Sequence, residues 1–264
     1  MRVYAETGNT MTTLRLFAVL MLGVVLAHSG AAHAYDLTLM TTNSFKSTVQ
    51  EIVPQFEKMT GHAVRQVFAN AEGLRTKIQK GEAFDVVILS SVQADRLAQE
   101  GYIDPATRIN IAHTLTAVAV RRGAPKPDIS TSDAFKATML AAKSITYSET
   151  GATGVYLKQL FERMGIADTM RPKTKLLNGE AAADMVARGE AEIGLTQVSE
   201  ILPWEGTELV GTIPKELELI TVYPAAANSR SKYPEAARAL ITFFRSPLAV
   251  KALKAKGLEP NPAL

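Results

Sequence analysis

Phe84-Asp85-Val86-Val87-Ile88-Leu89 is an almost unbroken apolar run with β-branched residues at its centre. A short run of this kind, without alternation, reads as a strand covered on both faces, as strands of a parallel sheet are. Its flanks repeat the theme. Upstream, Gly73 to Lys80 has helical spacing and His62 to Ala69 reads as a strand. Before that, Phe45, Val49, Ile52, Val53 and Phe56 form one face of an amphipathic helix, interrupted by Pro54, and Leu37-Thr38-Leu39-Met40 opens the series as a strand. Thr42, Asn43 or Ser44 is placed to cap that helix, and Gly61 to end it. Downstream, Ser91 to Glu100 is helical and Gly101 closes it. Strand–helix–strand–helix–strand over so short a stretch predicts parallel pairing with right-handed crossovers.

The pattern then pauses and restarts. Thr114 to Val120 is an apolar, β-branched strand that stops at Arg121-Arg122-Gly123-Ala124-Pro125. After it come a helix at Asp133–Ala142, a strand at Ser144–Tyr147, a helix at Val155–Met164, a strand at Leu176–Leu177, a helix at Glu180–Ala187 and a strand at Ile193–Thr196. A further strand spans Leu219–Ala225, and helices at Tyr233–Phe244 and about Leu248–Lys256 finish the chain. This predicts an α/β protein of two lobes, each with a central mixed β-sheet flanked by helices. The lobes are joined by two crossing strands with a ligand cleft between them. The expected division is 35–117 plus 222–264 for the first lobe and 118–221 for the second. Two crossings without a linker mean a hinge.

Composition narrows the chemistry. The chain has 264 residues, 47% apolar and 21% charged, which excludes disorder and suffices for a large core. The absence of cysteine excludes disulfides, thiolate metal sites and a thiol nucleophile. A net charge of +3, with no basic block, argues against nucleic acid as a partner. Residues 1–34 read as a signal peptide: Arg15, an apolar run from Leu16 to Ala27, then Ala32-His33-Ala34 as the cleavage motif, with Met1 or Met11 as the start. The run is too short to span a bilayer comfortably, so the expected mature protein begins at Tyr35 in the periplasm and does not cross the membrane.

Small hydroxyl, amide or glycine residues recur at the strand-to-helix turns, where free N–H groups favour an anion. They occur at Thr41-Thr42-Asn43-Ser44, Asn70-Ala71-Glu72-Gly73, Ser90-Ser91 and Ser148-Glu149-Thr150-Gly151-Ala152-Thr153-Gly154. Any one is an ordinary cap; four from both lobes predict an uncharged anion cradle. Gly151 and Gly154 let backbone amides approach a ligand without a Cβ in the way. No P-loop lysine, nucleophile elbow or His-Glu-x-x-His motif is present. His62 and His113 lack a partner at i+4, so neither metal nor cofactor is expected. Glu149 is the carboxylate nearest the glycine turn and a candidate base. Trp204 reads as packing.

Leu39 to Ser44, Phe56 to Gly61, Gly81 to Ile88, Gly151 to Tyr156, Val186 to Gly194 and Pro234 to Leu240 together resemble the periplasmic solute-binding proteins of ABC transporters, the molybdate-binding branch above all. The resemblance implies a monomer that closes on its ligand like a hinged clam and hands it to a membrane permease. It implies Ser44 as a first-lobe hydroxyl donor and the backbone at Ala152 and Thr153 as second-lobe donors. A second serine is replaced within the Asn70-Ala71-Glu72 turn, and the tyrosine of the molybdate binders is replaced by Gln197. Those departures favour an organic carboxylate over a compact oxyanion. The chain also resembles the aconitate isomerases at Val120 to Ile129, Tyr147-Ser148, Gly154 to Tyr156 and Gln197 to Glu200. That resemblance implies proton transfer within a tricarboxylate, with Glu149 or Tyr156 as alternative bases. The expected site therefore comprises Asn43, Ser44, Asn70, Ser148, Ala152, Thr153, Tyr156 and Gln197. A small organic anion is the first expected ligand, aconitate-type isomerisation the alternative, and molybdate the third.

Overall fold

The computed structural model describes residues 34–177 and 181–261. The signal segment up to His33 and the expected helix start at Glu180 lie outside the described residues. Strand β1 (Asp36–Thr42) runs through a 3-10 turn (Asn43–Phe45) into helix α1 (Lys46–Thr60). Then come β2 (Ala63–Ala69), α2 (Ala71–Gln79), β3 (Val86–Ile88) and α3 (Ser91–Gln99). Both β2 and β3 pair parallel with β1, with Leu39 opposite Gln66 and Val86. The parallel βαβ reading of this stretch is what the structure has. Pro54 sits inside α1 without ending it. Gly61, at φ 75°, takes the left-handed conformation that closes it.

A long strand, β4 (Ile109–Arg121), organises the rest of the molecule. Next are α4 (Ser132–Ala141), β5 (Ile145–Ser148), α5 (Ala152–Arg163), α6 (Ala167–Met170), β6 (Thr174–Leu177), α7 (Ala182–Ala187), β7 (Ile193–Gln197) and α8 (Val198–Ile201). The chain closes with β8 (Thr207–Thr212), β9 (Ile220–Ala227), α9 (Pro234–Phe243), α10 (Pro247–Ala255) and β10 (Glu259–Pro260). From Ile109 to Leu115, β4 pairs antiparallel with β9; from Thr116 onward it pairs with β7, and from Ala117 with β8. One strand thus belongs to two sheets, the first ordered β2-β1-β3-β9-β4 and the second β4-β7-β5-β6. The hand-over falls at Leu115–Thr116.

Each sheet buries its own apolar cluster. Leu37, Leu39, Phe45, Ile52, Phe56 and Leu240 pack on one face of the first. Met40, Leu74, Val87 and Leu97 fill its other face. Phe135, Met139, Ile145, Leu157, Phe161 and Leu195 form the core of the second. At about 2 kcal/mol per large side chain removed from water, each cluster stabilises its own half. Asp85, within the opening apolar run, is the polar exception. Its buried carboxylate accepts the Thr38 N–H (2.8 Å) and the Ser231 hydroxyl (2.7 Å), tying β1 to the loop after β9. Among the described residues, no helix is long and apolar enough to cross a membrane.

Candidate functional site

In both sheets the parallel strands end on the same side, and the helices that follow begin there. The N-cap residues of six helical elements, Thr42, Asn70, Ser90, Gly151, Ala181 and Gln197, all line one cavity of about 400 Å³ between the two sheets. Of these, only Asn70 spends its side chain on its own helix, accepting the Gly73 N–H at 2.7 Å. The other five make no side-chain cap bond, so no side chain of theirs occupies the first-turn N–H groups at this wall. The expected capping of α1 by Thr42, Asn43 or Ser44 does not occur, because the 3-10 turn intervenes. An array of unspent N–H donors in a partly dry space is a receptor for negative charge.

Seven of the eight expected site residues line this cavity: Asn43, Ser44, Asn70, Ser148, Ala152, Thr153 and Gln197. Tyr156 does not. Its phenol donates to the Leu217 carbonyl at 2.7 Å and its ring packs against the second core, because the twist of α5 carries that position away from the cleft. Glu149 is also outside the wall: it is exposed and faces Lys158 at 3.7 Å. Trp204, read as packing, stands on the cavity wall, 36% exposed. Gly151 lines the cavity, whereas Gly154 differs from expectation. At Gly154 a Cβ would lie 1.7 Å from the Ser148 carbonyl oxygen, so this glycine serves the docking of α5 onto β5.

The cavity's centre is a hydrogen-bonded chain spanning the cleft. Tyr223, on β9, donates to Gln197 Oε1 at 2.7 Å, and its oxygen lies 3.1 Å from Ser44 Oγ. Ser44 donates to Glu200 Oε1 at 3.1 Å, and the Thr196 hydroxyl holds Glu200 Oε2. Ser44 follows a strand of the first sheet, whereas Thr196, Gln197 and Glu200 belong to β7 and α8 of the second. Burial raises the Tyr223 phenol well above the usual tyrosine range, and the charge of Glu200 adds to the effect against the pull of its hydrogen bonds to Ser44, Gln197 and Thr42. The phenol therefore stays neutral. Ser199 is 2% exposed and its buried hydroxyl has no partner. Among the described lining residues, Glu200 is the one carboxylate and Lys46 the one cation. No group of three or more potential metal ligands occurs among the described residues.

Glu200, Tyr223 and Lys46 were missed as site residues by sequence reasoning. Glu200 lies in a stretch already singled out for its likeness to another family, which was a usable signal. Tyr223 sits mid-strand among apolar residues, where nothing separates it from core.

The sequence match is as broad as the structural one. The model of the bacterial extracellular solute-binding protein family matches residues 37–259. The chain belongs to that family. Among its relatives, an aconitate isomerase from Pseudomonas sp. is 37% identical over 257 residues, covering 95% of this chain and 97% of that protein. The molybdate-binding protein ModA of Escherichia coli strain K12 is 24% identical over 249 residues, covering 92% and 96%. The solved periplasmic molybdate-binding protein of Azotobacter vinelandii superposes with a TM-score of 0.72 at 21% identity, over 86% of this chain and all of that one. The mixed α/β architecture is shared with that solved structure.

Proposed function

We propose that this solute-binding-family protein takes a small organic polycarboxylate of the aconitate class into the interlobe cavity and isomerises it. The observation that carries the reading is the cavity itself: about 400 Å³, walled by unspent helix N-termini from both sheets and by uncharged donors. A four-oxygen oxyanion occupies roughly 100 Å³ at ~30 Å³ per water-sized group, which leaves most of that space empty. A six-carbon tricarboxylate uses it, with one carboxylate at each cluster of N–H groups. The isomerase of Pseudomonas sp., 37% identical along nearly the whole chain, supports the aconitate class and its chemistry. Closure of the two halves over the ligand removes water and orients it. The signal-like leader read in residues 1–34 supports a periplasmic location for this activity.

A second reading, capture of the same anion for delivery to an ABC permease, is supported by the family match and by the ModA relatives. One experiment divides the possibilities. Mature protein is tested by thermal shift against cis-aconitate, trans-aconitate, citrate, molybdate and tungstate, since a ligand of the native state raises its melting temperature. The aconitates are then followed by proton NMR with catalytic amounts of protein. Stabilisation and interconversion by aconitate are expected. Stabilisation without interconversion leaves the receptor reading, and stabilisation by molybdate alone refutes both.

A further inference from the structure

We infer that Glu200 is the base that moves the proton, and that the Ser44–Tyr223–Gln197 chain is arranged to hydrogen-bond its protonated form. This rests on the carboxylate reading above. A cavity lined with N–H donors gains nothing as a simple anion receptor from a carboxylate on its wall, because like charges repel across a short, partly dry distance. Glu200 is nonetheless held there from both halves, by Ser44 on Oε1 (3.1 Å) and by Thr196 on Oε2. Two hydroxyl donors engage two of the carboxylate's roughly four acceptor positions, so the group is fixed in place with lone pairs to spare.

Proton counting strengthens the assignment. Gln197 Oε1 only accepts, so the Tyr223 proton is committed to it. Ser44 has one proton and two acceptors, the Tyr223 oxygen and Glu200 Oε1, both at 3.1 Å. With Glu200 ionised, the Ser44–Tyr223 contact has no hydrogen of its own, and the phenol oxygen has the Thr42 hydroxyl as its other neighbour. With Glu200 protonated, its O–H donates to Ser44, Ser44 donates to Tyr223, and Tyr223 donates to Gln197, so every contact carries a hydrogen. Tyr223 stays neutral through this because it is buried. The other titratable group on the described wall is Lys46 at the start of α1, which is exposed and stands 6.0 Å from the Phe68 ring.

The step balances without a further reactant. The Glu200 carboxylate takes one proton from the methylene carbon of aconitate. The C–H electron pair forms the new double bond, and the old π pair moves to the far vinylic carbon and its carboxylate, where first-turn N–H groups meet the charge. The Glu200 carboxylic acid returns a proton to that vinylic carbon. The double bond has moved one position, the geometry has changed, and the enzyme is restored.

The test uses wild type, Glu200→Gln and Glu200→Asp. It reads interconversion rate, exchange of methylene hydrogen with deuterium oxide, and trans-aconitate affinity by calorimetry. Glutamine keeps the size and an acceptor for Ser44, so E200Q is expected to fold and to bind trans-aconitate as tightly as wild type or tighter. Its turnover and exchange are expected to fall about 10²- to 10⁴-fold, the usual contribution of a positioned base. E200D is expected to recover part of both. If E200Q keeps turnover within threefold of wild type, or loses binding along with turnover, the assignment is overturned while the functional reading stands. If the wild type neither binds nor converts aconitate, the reading fails and the assignment falls with it.

Discussion

Replacing Gly154 by alanine sets two effects of opposite sign against each other. Gly154 is the third residue of α5, and in a free helix alanine is preferred to glycine there by up to about 1 kcal/mol. In this protein the new methyl group stands 1.7 Å from the Ser148 carbonyl oxygen, 2.9 Å from its carbon and 3.2 Å from the Tyr147 ring. The first contact is with backbone, at the end of β5, and no rotamer relieves it. To reach even a tight 3.0 Å, the start of α5 must retreat by roughly 1.3 Å. Tyr147 is 4% exposed and lies in the second core, so the retreat also loosens packing there. Overpacking of this kind costs about 1–3 kcal/mol, and the unyielding backbone contact places this case at about 3. The sign of the net change therefore tells which effect governs.

Urea denaturation of wild type, Gly154→Ala and Gly151→Ala measures it. At Gly151 an added Cβ meets only the Ser148 side chain, at 3.1 Å, so that variant is expected within about 1 kcal/mol of wild type. G154A is expected to lose about 3 kcal/mol. Because Ala152 and Thr153 ride on the displaced turn, its aconitate affinity falls by at least about tenfold, the worth of one hydrogen bond to a charged group. A G154A protein as stable as wild type, or more so, refutes the argument that α5 docks through this glycine.

Other consequences follow from the same geometry. Tyr223→Phe leaves the buried Gln197 Oε1 without its donor and is expected to cost about 1–3 kcal/mol by denaturation. The native phenol resists ionisation more than the unfolded one, so its stabilising effect is full below about pH 10 and is lost as pH rises beyond it. The stability gap between wild type and Y223F should accordingly shrink by up to ~1.4 kcal/mol per pH unit in alkaline solution; a gap that widens there reverses the sign of the argument. Ser44→Ala and Gln197→Ala are each expected to weaken aconitate binding by about 1–3 kcal/mol in calorimetry, and unchanged affinity in both misplaces the pocket. Trp204 is the single tryptophan and lines the cavity, so tryptophan emission should change saturably with aconitate and not with an inert anion such as chloride.

Strands covered on both faces were easy to read, because Val86 to Ile88 and Ile193 to Leu195 show their burial as unbroken apolar runs. β8 was not read, since Glu208 and Gly211 break the run and its pairing with β4 is antiparallel and distant in sequence. The unexpected length of β4 has a similar cause: Asn110 and His113 interrupt its first half, which the distant partners β9 and β10 hold extended. For the cavity wall, Gln197 was legible only through the family resemblance, whereas local sequence sufficed where a residue sits in a strand-to-helix turn, as Ser44 and Asn70 do. It failed for Tyr156, one turn further on, where direction depends on how α5 lies on its sheet. It failed for Tyr223 because a phenol in an apolar strand is typed as core until the opposite wall is known.

The way the site is assembled bears on how one scaffold can hold either a receptor or a catalyst. Helix N-termini supply hydrogen bonds and partial positive charge, but no proton that can be exchanged, so a cavity made of them alone captures an anion and leaves it unchanged. Catalysis needs one titratable group and a place for the proton it takes. Glu200 and Gln197 come from the second sheet's side, Ser44 from the first, and Tyr223 from β9. The relay is therefore continuous only when the two halves meet, and separating them removes Ser44 from Glu200 and leaves that carboxylate to water. If Glu200 is the base proposed above, its orientation comes with closure of the two halves over the ligand. On the proposed reading, an open form with Glu200 hydrated is expected to perform no exchange of methylene hydrogen with deuterium oxide, so chemistry and closure should be lost together.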